Sequence, residues 1–192
     1  TADSSTSNSG TANLTTKVGG GTIDIGNSTT GAYSLTGLSG NDTLKGNGNA
    51  DIINGGGGDD NIDGRGGNDE INGGAGDDII TVSSAGQGDG DTIDGGSGTD
   101  TLSLSSGSHA FATDAKLQNI NSITLASTST VIDLTGQTES LTITGGAQAD
   151  TITAGSGDDI INGAGGADII KGAGGIDTIS LGSSDSASDI II

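Results

Sequence analysis

The residues in this chain with chemistry to offer are aspartates. Read in nines from residue 37, the run GLSGNDTLK, GNGNADIIN, GGGGDDNID, GRGGNDEIN, GGAGDDIIT puts Asp42, Asp51, Asp60, Asp69 and Asp78 at one position of a repeated unit. The register returns as GGSGTDTLS at 95–103, carrying Asp100. It returns again at 145–180 as GGAQADTIT, AGSGDDIIN, GAGGADIIK and GAGGIDTIS, carrying Asp150, Asp159, Asp168 and Asp177. Carboxylates held in glycine-rich turns offer only oxygen to a cation. Calcium accepts about six to eight oxygens, carboxylate and backbone carbonyl alike, in flexible geometry. Glycine lets the chain take positive φ and bring its carbonyls close to an ion. The chain has no Cys, and its one histidine, His109, lies outside any repeat, which argues against zinc, copper and iron. Magnesium demands a tighter octahedron and keeps its waters, so it suits such a turn poorly.

A fixed period implies stacked units, each able to bury its apolar side only against its neighbours. Within each unit the first six residues read as a turn and the last three as a short strand. Position eight is the inward apolar residue (Leu44, Ile53, Ile62, Ile71, Ile80), while positions seven and nine point outward by the period-two rule. Composition agrees: 39 Gly, one Tyr, one Phe and no Trp, Met or Pro leave only rows of Ile, Leu and Val to build an interior. Such rows fit short stacked strands better than helices. The formal charge of −20 excludes nucleic acid as a favoured partner and disfavours an anionic membrane surface, and no stretch approaches the length of a membrane span. Asp outnumbers Glu by 23 to two, and the shorter side chain keeps its carboxylate near its own backbone, as a shared turn site requires. Without a cation, so acidic and aromatic-poor a chain reads as disordered.

The unit G-G-x-G-x-D-x-(Ile/Leu)-x, ten times in register over about 100 residues, resembles the RTX calcium-binding nonapeptide repeat. That resemblance implies an all-β fold: a right-handed parallel β-roll solenoid with two nonapeptides per turn and calcium ions between stacked turns. It also implies the ligands, namely the position-six carboxylates and carbonyls from positions one to four. The stacked pairs are then Asp42 with Asp60, Asp51 with Asp69, Asp60 with Asp78, Asp150 with Asp168, and Asp159 with Asp177. The carbonyl donors include Gly55, Gly56, Gly57 and Gly58, then Gly73, Gly74 and Gly76, and in the second block Gly163, Gly165 and Gly166. A coil at 82–94, four residues longer than a repeat, delivers Asp91. Asp69 with Asp91 and Asp78 with Asp100 pair only if that insertion bulges outward. Asn49 and Gln148 replace the fourth-position glycine and Arg65 the second, so their turns depart from the pattern.

Residues 1–20, rich in Ser, Thr, Asn and Gly, read as a linker or lead-in, and 21–192 as one continuous solenoid. Within it, 37–103 is a first calcium block and 145–180 a second. Between them 104–144 drops the Gly-Asp turns but keeps a nine-residue beat in Ile123-x-Leu125, Ile132-x-Leu134 and Leu141-x-Ile143. We read Ile123, Ile132 and Leu141 as occupying the aspartate slot and pointing inward without metal; the alternative is a separate, non-repeating insert. Residues 181–192 resemble the irregular coil at 82–93, so the sequence reads as stopping mid-coil, the alternative being a true C-terminus. His109 and Phe111 read as ordinary loop or cap residues, and Asp59, Asp77 and Asp158 as solvated charge. The outward Thr pairs Thr142/Thr144 and Thr151/Thr153 meet Ile160/Asn162 and Ile169/Lys171 on adjacent coils, so no flat Thr array for ice binding continues.

Stacked carboxylates about 4.8 Å apart repel without metal, and the many glycines add backbone entropy to the cost of folding. Calcium then supplies both neutralisation and folding free energy. Extracellular calcium modules respond at about 10⁻⁴–10⁻³ M, so such a chain stays unfolded in a low-calcium cytosol and folds outside. The RTX resemblance extends that to export through a type I secretion channel. We therefore expect a non-enzymatic, calcium-dependent structural module of a secreted bacterial cell-surface protein, of S-layer or adhesin type. Self-association into surface arrays or filaments is possible in this reading, and direct membrane insertion is not. The other reading is a calcium and secretion module on an exported enzyme (a serralysin-like protease, a lipase or an epimerase) or a cytolysin. An HExxH or GxSxG motif upstream would favour it, and this chain holds neither.

Overall fold

A computed structural model describes residues 12–83, 90–111, 113–182 and 189–192. Every strand pairing in it is parallel, and the strands stack into a solenoid of about eight turns with no α-helix among the described residues. One face is a nine-stranded sheet running from Thr22–Asp24 to Thr178–Ser180. The opposite face is a six-stranded sheet from Ala12–Thr15 to Leu117–Gln118, followed by a five-stranded one from Gly107–Ala110 to Ile190–Ile191. Consecutive repeats alternate between faces. Hence Thr43 pairs with Asn61 and Asn61 with Ile79, each a step of two nonapeptides. Ala12–Thr15, counted with the lead-in above, is already a strand and pairs with Tyr33–Thr36.

Three-residue strands suffice here because each contributes one inward side chain to a shared column. Leu44, Ile62, Ile80, Leu102, Ile123, Ile143 and Ile161 stack along the nine-stranded face, all fully buried. Leu35, Ile53, Ile71 and Ile93 face them from the six-stranded sheet, with Ile132, Ile152 and Ile170 from the five-stranded one. Each rung excludes water for the rungs above and below it, so the core grows by addition.

The four extra residues of the irregular coil fall within 82–94, part of which (84–89) lies outside the described residues. Register resumes beyond it, with Glu70 opposite Thr92 and Ile79 opposite Thr101. Residues 104–144 stack in the same sheets, but two corrections apply. Their coils are longer than two nonapeptides, since Ser122 pairs with Thr142 and Val131 with Thr151. Of the three residues assigned to the aspartate slot, only Leu141 occupies it. Asn121 and Thr130 fill it in the other coils, because Ile123 and Ile132 pair with Ile143 and Ile152 on the core column. All three of Ile123, Ile132 and Leu141 are nevertheless buried.

His109 and Phe111 are core residues rather than loop residues, each about 1% exposed. His109 stands on the column itself, opposite Ile132, and its Nε2 pairs with the Ser105 carbonyl at 3.0 Å. Both lie where the six-stranded sheet gives way to the five-stranded one, in a single coil that visits Gly107–Ala110 and Leu117–Gln118. The chain's only Phe is buried in that coil.

Candidate metal sites along the two edges

Period two does more than bury position eight. It also turns position six inward, so Asp42, Asp51, Asp60, Asp69, Asp78, Asp91, Asp100, Asp150, Asp159 and Asp168 are all buried, none more than 3% exposed. They form two columns. The turns leading into the nine-stranded face make a first edge with Asp42, Asp60, Asp78, Asp100, Asp159 and Asp177; those leading into the other face make a second edge with Asp51, Asp69, Asp91, Asp150 and Asp168.

One carboxylate oxygen is fixed throughout. Oδ1 of each aspartate accepts the backbone amide of the residue in the same slot one coil earlier. On the first edge Asp60 accepts from Asp42 at 2.7 Å, Asp78 from Asp60 at 2.7 Å, Asp100 from Asp78 at 2.9 Å and Asp177 from Asp159 at 3.0 Å. On the second edge Asp69 accepts from Asp51 at 2.8 Å, Asp91 from Asp69 at 2.9 Å and Asp168 from Asp150 at 2.9 Å. The structure thus brings together every pair named from the sequence, including the two that span the insertion. Two further residues join the ladder. Asn121 accepts from Asp100 at 2.7 Å and Asp189 from Asp168 at 2.8 Å. Asp189-Ile190-Ile191 repeats the Asp51-Ile52-Ile53 pattern, and that signal could have identified it; Asn121 carries no comparable mark.

The other oxygen divides the turns into two kinds. Oδ2 of Asp60, Asp78, Asp100, Asp159, Asp168 and Asp189 is buried with no hydrogen-bond partner. By contrast, Oδ2 of Asp42 accepts from the Leu38 amide at 3.2 Å, Asp51 from Asn47 at 2.8 Å and Asp150 from Gly146 at 2.7 Å. For Asp60, Asp78, Asp100 and Asp168 the difference lies at position two of the turn, whereas ahead of Asp159 the position-two residue Gly155 is not left-handed. Gly56, Gly74 and Gly96 have φ of 104°, 114° and 95°, which turns the amide away. Arg65, Ala164 and Ala173 keep position two left-handed despite their side chains, at 66–68°. Leu38, Asn47 and Gly146 are not left-handed, and their amides close onto the carboxylate. The turns with Asn49 and Gln148 at position four are both of this closed kind.

Position one completes the cradle. A methyl group on Gly46 would come within 2.6 Å of both Asp51 Oδ2 and the Gly64 carbonyl of the next coil. One on Gly55 would run into Asp60 Oδ2 and the Gly73 carbonyl, and one on Gly73 into Asp78 Oδ2 and the Gly95 carbonyl. The same holds at Gly163 for Asp168 Oδ2. Among the remaining glycine donors, Gly58, Gly76 and Gly166 are left-handed at position four, and the Gly57 carbonyl already accepts the Gly40 amide at 2.6 Å. Gly165 donates its own amide to the Gly146 carbonyl at 3.0 Å.

Burial is the leading cause that raises the carboxyls of Asp51, Asp60, Asp91, Asp100, Asp150, Asp159 and Asp168 above their ordinary range. It pushes Asp78 up to about 6 and Asp69 up to about 7, with neighbouring carboxylates adding to the push. A buried, unpartnered carboxylate oxygen beside a carbonyl is costly unless a cation or a proton joins it. Oxygen-only donors crowded at a glycine that admits no side chain suit a calcium-sized hard cation. At Arg65 the chain supplies its own charge, for the guanidinium bonds the Gly46 carbonyl at 2.7 Å and Asp24 at 2.8 Å and holds the Asp24 carboxyl below its usual range.

No helix among the described residues is long and apolar enough to cross a membrane. No curated protein matches the chain. The RTX calcium-binding nonapeptide repeat matches in four copies, at residues 29–62, 55–84, 85–108 and 142–185. The matched segments bracket the coils in which Asn121, Thr130 and Leu141 replace aspartate. With about two thirds of its length matched, and with a carboxylate ladder on each edge, the chain belongs to the RTX calcium-binding nonapeptide repeat family, a calcium-binding module typical of secreted bacterial proteins.

Proposed function

We propose that this chain is a calcium-dependent structural module of a secreted cell-surface protein, of S-layer or adhesin type, that folds when it meets extracellular calcium. The observation that carries the reading is the buried, unpartnered Oδ2 of Asp60, Asp78, Asp100 and Asp168 at the glycine cradles. Calcium held there by these carboxylates and by carbonyls such as those of Gly73 and Gly95 supplies the missing charge. The chain's own part is to fix each Oδ1 through the amide ladder, so that a single oxygen per aspartate is left to bind. Asp42, Asp51 and Asp150, which lead their columns, are closed by amides and hold their turns without an ion. The structural role draws support from the middle coils, which keep the apolar column of the nine-stranded face unbroken between the two aspartate blocks and so make one rod of the described residues. Outward-facing Ile52, Ile79, Ile160 and Ile169, each 39–55% exposed, offer contacts for lateral association into arrays.

The test has two parts. Far-UV circular dichroism in chelator should show coil, converting to β on addition of millimolar calcium but not of equal magnesium. Fractionation and electron microscopy of native cells before and after a chelator wash should then show a surface layer or filaments that the wash releases. A protein recovered only as soluble monomer, with or without calcium, would point instead to a module of an exported enzyme.

A further inference from the structure

The aspartates one residue ahead of the ladder are not merely solvated. Asn41, Asp59, Asp77 and Thr99 occupy position five of the four stacked turns on the first edge, and they are linked. The Asp59 amide donates to Asn41 Oδ1 at 3.1 Å, the Asp77 amide to Asp59 Oδ1 at 3.0 Å, and the Thr99 amide to Asp77 Oδ1 at 2.8 Å. In the second block the Asp158 amide donates to Ser140 Oγ at 3.2 Å and the Ile176 amide to Asp158 Oδ1 at 2.8 Å. The direction is opposite to that at position six, where each side chain accepts from the coil before it. At position five each side chain accepts from the coil after it. A first-edge turn is therefore tied by side chains to both neighbours, through adjacent residues. The position-four glycines lie against this second ladder, for a methyl on Gly76, Gly98 or Gly175 would sit 3.0 Å from Oδ1 of Asp59, Asp77 or Asp158. The second edge has Ala50, Ala149 and Ala167 at position five, whose side chains hold no acceptor, and among the described residues only Asn68 stands against the following turn, at Gly90.

We propose that Asn41, Asp59, Asp77 and Asp158 are positioning residues for the calcium cradles of the first edge. They hold the backbone of each turn against the next, so that the position-six carboxylate and the neighbouring position-one carbonyl converge. The first edge then binds calcium more tightly than the second. The inference rests on the calcium reading above. It depends on an acceptor atom rather than on charge, since Asn41 and Ser140 serve as neutral members.

The experiment compares three full chains by calcium titration, followed by circular dichroism: the parent, the double variant Asp59→Asn/Asp77→Asn and the double variant Asp59→Ala/Asp77→Ala. Both variants lose the same two charges, but only the Ala pair loses the acceptors. The Asn pair should keep the parent's midpoint, and the Ala pair should raise it about twofold or more, as loss of two backbone hydrogen bonds implies. Equal midpoints for the two variants, whether shifted together or both unshifted, overturn the proposal. So does a shift in the Asn pair alone. A parent chain that shows no calcium response would sink the calcium reading itself, and is told apart from these outcomes by that arm alone.

Discussion

Two adjacent turns, 46–51 and 55–60, put the same carboxylate to opposite uses. In the first, Asn47 closes its amide onto Asp51 Oδ2. In the second, Gly56 is left-handed, its amide turns away, and Asp60 Oδ2 is left buried and unpartnered. The position-eight residue behind each is a fully buried Ile, and the ladder below each is the same. In this pair the dihedral at position two separates a carboxylate closed by its own turn from one left open. On the function proposed above, calcium dependence is then a property of the turn backbone as much as of the aspartate.

The largest expected effect separates the two kinds of turn outright. On chelation, amide hydrogen exchange should rise first and most over 55–81, whereas 117–134, held by Leu117, Ile123 and Ile132, should retain protection longest. Uniform loss across both would erase the distinction. Next in size, Asp60→Ala or Asp78→Ala should reduce the number of bound ions and raise the calcium midpoint by about tenfold. Asp51→Ala removes the same charge but strands the Tyr33 and Asn47 amides, so it should cost about 1–3 kcal/mol of stability with the ion count unchanged. An equal loss of ions from Asp51→Ala would show that closed turns bind too.

A smaller effect comes from pH. Because the folded-state carboxyls of Asp78 and Asp69 are raised to about 6 and about 7, protonation favours the metal-free fold. That contribution is complete below the ordinary carboxylate range and is lost as pH rises through 6 to 7. In chelator, β content measured by circular dichroism should therefore be greater at pH 5 than at pH 8, and in calcium the midpoint should worsen as pH falls below about 7. No change between the two pH values would place the charge repulsion elsewhere. The smallest effect tests position two alone. Ala164→Gly relieves a left-handed Ala at φ 67° and should stabilise the calcium-bound fold by up to about 1 kcal/mol, read from thermal melts.

Much of this was legible because the repeat is strict. Position eight gave the core column, and the RTX resemblance gave the stacked pairs, those across the insertion only on condition that it bulged outward. Legibility failed where the period loosened. Ile123, Ile132 and Leu141 are evenly spaced in sequence, yet the third sits in a different slot, since the coils there run longer and Ile132 is followed on the column by Ile152. Two of the three closed turns were visible only as departures at Asn49 and Gln148, whose meaning depends on the handedness of the residue two places earlier, and the third, ahead of Asp42, keeps Gly40 at position four. Asp59 and Asp77 read as surface charge because a backbone amide arriving from another coil leaves no trace in composition. His109 and Phe111 read as loop because nothing in the sequence announces that two sheets meet there.

The steps between paired strands are not all alike: Thr43 to Asn61 spans two nonapeptides, while Thr22 to Thr43, Ser122 to Thr142 and Ile79 to Thr101 span more. Every one of them lands its inward residue on the same column. The strand pairing and the aspartate ladder continue on either side of the surplus residues. A gene for such a rod tolerates insertion, deletion and duplication of whole or partial units, because a copying error at a corner costs only a loop. Lengthening by duplication, and a stretch without Gly-Asp turns such as the one between the two aspartate blocks, are changes this architecture absorbs one coil at a time.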